Sequence, residues 1–384
     1  MQANRISWLT PLRTLAISAA VAGLIVPTAP TAQAQQDVGA TTAPTSNLPE
    51  EMSPEVVAAV NHGLKYLASA QRPDGSWLNN GSYGSYPAVM TALSGLAFMA
   101  GGSTPESGPY AREVRKAMLY LIKIAEASDE GLISQSGSRT MYGHGFGTLF
   151  LASCYGTELN KEHEARLRKV LDRAVEVIKK AQSRKTGQSP GGGWYYGPTD
   201  YTRDEGSVTV TQLQAIRAAR TGGIKIPNDV ITRAVQYLKF CQMDDGGICY
   251  SATSRGGSRP AISAAAIACF YSAGIYDRSA GGRDGEEARM VEKLVKYVRG
   301  KVHPTPGGGY GGYYFYTQFY MSQVEYVQGG DQWKKYYKAI SAHLLKTKGL
   351  DGSWNGDNIG TTYGTAIACF ILQLPYGYVP FAQR

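Results

Sequence analysis

The chain has 384 residues with a formal net charge of +9, 18% charged and 43% hydrophobic residues, and five cysteines. That length builds one large domain or two ordinary ones. The odd cysteine count excludes a complete disulfide framework, and no pair has the Cys-x-x-Cys spacing of a zinc or redox motif.

At the N-terminus, Arg5 and Arg13 precede the apolar run Leu15 to Val26 and the small-residue stretch "TAQA" ending at Ala34. This order predicts a signal peptide over residues 1–34, too short in its apolar part for a membrane anchor, and so an exported protein, periplasmic or secreted. Residues 35–52 lack periodicity and are expected to form a disordered linker. Removing the leader takes away two arginines and no acid, leaving 350 residues with a charge of +7 and no further transmembrane segment.

From residue 53 onward the chain repeats itself, and residues 53–384 are read as one domain. Val57, Val60, Leu64 and Leu67 recur at helical spacing with polar residues between them, which predicts a helix with one wet face. The turn "QRPDGSW" (residues 71–77) follows, and then "AVMTALSGLAFMAGG", a helix without a single charge. The same grammar returns near Gly131, Gly193, Gly247, Gly309 and Gly352, the last in "KGLDGSW" (348–354), at intervals of roughly 55 residues. The uncharged partners "GFGTLFLASCYG", "AISAAAIACFYSAG" and "YGTAIACFILQL" are apolar all round and therefore buried all round. They carry Cys154, Cys269 and Cys369 as small core residues, whereas Cys241 and Cys249 are spaced either to bridge a loop or to remain free.

The basic stretch Arg166 to Lys185 is interleaved with acids and has Leu167, Val170, Leu171, Ala174, Val175 and Ile178 on one face. It is a solvated outer helix and not a nucleic-acid patch. Six helices wet on one side and six dry on both predict an all-α chain of two concentric rings, closed as a barrel, with an open solenoid as the competing arrangement.

The stretch "GLKYLASAQRPDGSW" (Gly63 to Trp77) resembles the QW motif of the squalene cyclase and prenyltransferase superfamily, in which an aromatic and a glutamine precede a terminal Gly-x-Trp. The step recurs from Tyr237 to Gln242, and in the last repeat His343 and Lys348 occupy the register. The resemblance implies an α/α toroid of about six helical hairpins. In that superfamily the chemistry comes from an Asp-x-Asp-Asp acid or from a zinc held by Asp, Cys and His. Neither pattern is met: Asp244 and Asp245 fall in a turn, and no Asp, Cys or His lies between Gly307 and Val324. No metal ligand set and no cofactor are expected.

Weak catalytic candidates are Asp204 and Glu205, before an inner helix, and His144 in "MYGHGFG". Carboxylates there also suit the helix dipole, and a lone histidine is often structural. Tyrosine is abundant, 26 of 384 residues, and gathers at inner-helix starts with short polar side chains. Tyr86, Tyr142, His144, Thr209, Gln212, Tyr314, Thr317, Gln318 and Tyr363 are the expected substrate-binding set, converging on one mouth. Tyrosine offers an apolar face and a hydroxyl, suited to sugars or lipid chains, or simply to plugging a barrel. The expected function is binding of a lipid, isoprenoid, glycan or exported peptide in the central cavity, without nucleic acid. The alternative is a divergent enzyme, terpene-cyclase-like or a polysaccharide lyase, using an acid at the mouth.

Overall fold

The computed structural model describes residues 48–277, 285–306 and 313–382. The expected signal peptide and the turn near Gly309 lie outside the described residues, as does the linker up to residue 47. From Leu48 the chain is anchored, which corrects the expected linker end at residue 52. Met52 is buried, Trp333 donates its indole N–H to Glu51 at 3.1 Å, and Lys334 pairs with Glu50 at 3.3 Å.

Among the described residues there are twelve α-helices and no strand. The outer ones are α1 (Pro54–Ala70), α3 (Ala111–Glu126), α5 (Lys161–Ala181), α7 (Asn228–Cys241), α9 (Glu286–Arg299) and α11 (Gly330–Thr347). The inner ones are α2 (Pro87–Ala100), α4 (Thr140–Cys154), α6 (Gly206–Thr221), α8 (Pro260–Ser272), α10 (Tyr314–Gln328) and α12 (Thr361–Gln373). Composition sets the division. Every residue of α2 is buried, whereas α9 buries only Ala288, Val291, Leu294, Val295 and Val298 along one stripe. Each inner helix packs against the next, and α12 returns to α2, so the inner ring is closed. Each outer helix leans on the inner helix preceding it, with α1 on α12 completing the outer ring. No helix among the described residues is long and apolar enough to cross a membrane.

The repeated turns join one hairpin to the next. Trp77 is fully buried; its indole N–H donates to Leu67 O at 2.7 Å while its backbone N–H donates to Thr91 Oγ1 at 3.1 Å. Trp194 does the same with Ile178 and Thr209, and Trp354 with Leu344 and Thr365. The Gln71 amide donates both to its own turn, at Gly75 O, and across to Glu113 O on α3. Gln182 bridges to α7 and Gln242 to α9 in the same way. In the last repeat Lys348 reaches His62 on α1.

Gly75 has φ +92°, and a Cβ there would stand 2.3 Å from Lys116 O on α3. Its counterparts in the third and fourth turns are Gly192 and Gly246, one residue earlier than the sequence register suggested, because those residues take the left-handed conformation. Gly352, φ +88°, makes the equivalent approach to His62 on α1, so ring closure reuses the repeat contact.

All five cysteines are free and buried. The backbone N–H of Cys249 donates to Cys241 O at 3.0 Å, and the facing Cys241 thiol draws the Cys249 thiol below its ordinary value.

Truncating Trp77 or Trp354 to alanine removes a fully buried aromatic and the indole hydrogen bond of the staple, while the backbone N–H still reaches its threonine. Each change is expected to lower unfolding free energy by about 3–5 kcal/mol in chemical denaturation. The fully exposed Leu350→Ala serves as the neutral control. Wild-type stability in both tryptophan variants would contradict the staple.

Candidate functional site

All six inner helices run the same way, because an outer helix separates each from the next. Their N-termini, with the longer outer-to-inner loops, form one mouth. Free N–H groups and the positive end of the helix dipole collect there.

Two carboxylates meet those N–H groups. Glu205 caps α6, accepting from Val208 N at 2.7 Å and from Ser207 Oγ at 2.6 Å, while Tyr142 OH shares the Ser207 hydroxyl. Asp357 sits in a left-handed turn, φ +46°, and accepts from Phe315 N at 2.8 Å and Tyr316 N at 3.2 Å at the start of α10. Burial outweighs these hydrogen bonds at both sites. It raises the Glu205 carboxyl above the ordinary glutamate value and pushes Asp357 up to about 6.

Tyr316, Tyr320 and Tyr363 lie with these acids. Burial first, and then the neighbouring Tyr320, Tyr142 and Glu205, push the Tyr316 hydroxyl well above its ordinary value. The Tyr316 and Tyr320 rings meet edge-on at 5.0 Å, and neither buried hydroxyl has a hydrogen bond of good geometry. Above this floor is a rim. Arg139, itself left-handed at φ +52°, places its guanidinium 5.1 Å from the Tyr196 ring centre and 5.7 Å from that of Tyr83. Tyr196 and Tyr250 pair through their hydroxyls, and Tyr196 lies 6.0 Å from Tyr142. Tyr83, Tyr250 and Tyr313 expose 42, 36 and 48% of their surface, unusual for large aromatics in one neighbourhood.

The structure separates the sequence-predicted residues. Tyr142, Glu205 and Tyr363 belong to the mouth, and Tyr86 caps α2 at its edge, its N–H donating to Asn79 Oδ1. The expectation that Tyr142, His144, Gln212, Tyr314, Gln318 and Tyr363 share one cavity is corrected. His144 accepts from Ile133 N at 3.1 Å through Nδ1 and donates from Nε2 to Ala174 O at 3.0 Å. This is the staple position filled by Thr91, Thr209 and Thr365 elsewhere. Full burial holds the imidazole neutral, its value lowered to about 4.

Thr209 and Thr317 each bond a carbonyl one turn back, at Glu205 and Tyr313. Gln212 crosses to Met141 O, Tyr314 donates to Pro304 O, and Gln318 spans His303 O and the Tyr336 hydroxyl. Asp204 is likewise in the wall, accepting from Tyr237 OH and from the N–H groups of Ala252 and Thr253. The reason is helical phase. On α10, Tyr316 and Tyr320 share one face, whereas Tyr314 and Gln318, two residues out of phase, point to the outer ring.

Sequence reasoning passed over Asp357, Arg139 and the pair Tyr316 and Tyr320. The signals present were an aspartate in "WNGDNIG" just after the last staple and an i, i+4 tyrosine pair in a helix that carries no charge before Glu325. No group of three His, Cys, Asp or Glu among the described residues is placed to hold a metal ion.

Solved structures share this architecture. The type II terpene cyclase MstE from Scytonema superposes with a TM-score of 0.54 at 13% identity, covering 84% of this chain and 99% of that one. The GH76A α-1,6-mannanase of Salegentibacter sp. HEL1_6 superposes with a TM-score of 0.61 at 12% identity, covering 84% and 99%. The chain is an α/α toroid. It shares the terpene-cyclase-like fold, and at such identity the likeness carries the fold alone. No protein-family model and no curated protein sequence matches it. MstE is also known with geranylgeranyl dihydroxybenzoate bound, and inactive variants of the mannanase with mannotriose and mannotetrose.

The raised Asp357 value has a definite consequence for stability. A carboxyl that binds its proton more tightly when folded stabilises the fold below its unfolded value, and that contribution is lost as pH rises through about 6. Asp357→Asn keeps an acceptor for the two N–H groups and carries no charge. It is expected to melt higher than wild type at pH 7.5, with the gap closing by pH 4. An equal gap at both pH values would refute the assignment.

Proposed function

We propose that the protein is an exported toroid that binds a carbohydrate chain across the tyrosine-lined mouth. The observation carrying this reading is the exposed rim of Tyr83, Tyr250 and Tyr313 around Arg139. The C–H faces of a pyranose pack on the electron-rich face of a tyrosine ring, and hydroxyls at the ring edge exchange hydrogen bonds with sugar hydroxyls. The arginine adds donors without an aliphatic lipid's need for a closed apolar tunnel. Below the rim, Tyr142, Tyr316, Tyr320 and Tyr363 fill the lumen, which favours a chain laid over the mouth above an isoprenoid threaded into the barrel. The leader-like residues 1–34 support export to the periplasm or the cell exterior, where polysaccharide is met.

A second reading, a divergent acid-dependent enzyme at the same mouth, is favoured by one observation. Both buried carboxyls, Glu205 and Asp357, hold their protons more tightly than ordinary acids, as a general acid must near neutral pH. The test is binding of oligosaccharides of neutral hexoses, N-acetylhexosamines and uronic acids, followed by calorimetry and by product analysis. The binding reading expects at least one class to bind, with a tenfold or larger loss in Tyr83→Ala/Tyr313→Ala and less than a twofold change in Asp357→Asn. Cleavage that disappears in Asp357→Asn or Glu205→Gln would replace it with the enzymatic reading. Failure of every class to bind would overturn both for glycans.

A further inference from the structure

The opposite end of the barrel, where the inner helices finish, holds a cavity of about 400 Å³. It is built by the last turns of α4, α6, α8 and α10, with the C-terminal segment Pro380–Ala382 as one wall. Phe381 of that segment stacks on Phe370, ring planes 6° apart and centres 5.9 Å apart, so the wall is fixed to the barrel. The volume falls within the roughly 300–1,000 Å³ of ordinary small-molecule sites.

Most of the lining is apolar or weakly polar, including Ala152, Ala218, Ala268 and Val327. Among the described lining residues the one charge is that of Arg217, from the penultimate turn of α6. Arg217 is half-buried, and among the described residues its guanidinium has no ion pair or side-chain hydrogen bond. The contrast with its neighbours is informative. Arg299, on the outer helix beside this end, is bound in bidentate fashion by Glu325 at 2.7 and 2.9 Å. Asp277, the acid beside the cavity, already accepts from Tyr271 OH at 2.7 Å and Gln328 Nε2 at 2.8 Å. No Asp or Glu is among the described lining residues.

A guanidinium at a half-buried position without a counter-charge among the described residues is open to an anion, and its planar fork matches a carboxylate in two parallel hydrogen bonds. We propose that this cavity is a binding site for a small organic carboxylate with an apolar body, the acid seated on Arg217 and the body against the alanines, Val327 and Phe381. The site is distinct from the tyrosine-lined mouth and stands whether or not that mouth binds glycan. Ser153 and Thr221 at the lining bond carbonyls in their own helices, at Leu149 and Arg217, and leave Arg217 to read the charge.

Calorimetric titration of the purified chain with 4-phenylbutyrate tests this, with 4-phenylbutanol as the uncharged probe of the same shape. Binding of the carboxylate at least tenfold tighter than the alcohol is expected. Arg217→Met should cost tenfold or more, Arg217→Lys less than Arg217→Met, and Tyr83→Ala/Tyr313→Ala nothing. The proposal is overturned if wild type binds neither probe or both equally, or if a folded Arg217→Met protein binds the carboxylate as wild type does. Should Arg217→Met fail to fold, the two-probe comparison on wild type and the lysine variant still decides.

Discussion

The contact between a turn glycine and the next outer helix holds the ring together. Gly75 brings its turn so close to α3 that no side chain fits between them, and the neighbouring Gln71 and Trp77 convert that approach into directed hydrogen bonds. The Gln amide satisfies a carbonyl on each side of the joint, and the indole seals it from water. Because the last turn makes the same approach to α1, the repeat geometry returns on itself as a closed ring. An unclosed row of these hairpins would leave the uncharged faces of α2 and α12 against water, which costs far more than the loop entropy of closure.

Closure dictates where chemistry can sit. Helices packed on both sides in an inner ring have few positions left for function, and these lie at their two ends. At one end the free N–H groups attract carboxylates, and Glu205 and Asp357 occupy that place with their protonation shifted by burial. At the other end the free carbonyls attract cations, and Arg217 lies near the C-terminus of α6, where the dipole favours it. The two ends therefore differ in electrostatic character for a reason built into helix direction.

Much of this was legible in the sequence. The alternation of charged and uncharged helices, with the Gly-x-Trp echo at residues 75–77 and 352–354, was enough to predict two rings and their closure. Glu205, Tyr142 and Tyr363 were found as mouth residues from their place at helix starts. His144, Tyr314 and Gln318 were assigned to the mouth by the same rule and belong to the wall, because position along a helix does not set which way a side chain faces. Phase can be read only once one position on each inner helix is tied to a neighbour. The staple residues Thr91, His144, Thr209, Ser263 and Thr365 supply that tie, and their chemical variety hid the equivalence. Asp357 was hidden differently, since its burial comes from α10 and not from its own glycine-rich turn.

The account turns on the tyrosine-lined mouth being a ligand site for sugar chains. Native mass spectrometry of the protein recovered without detergent from its producing cells and their medium tests it most directly. The account predicts a bound species differing by successive sugar-residue masses, absent from the Tyr83→Ala/Tyr313→Ala protein. A lipid-mass adduct retained by that variant, or a bare chain in every preparation, would contradict it.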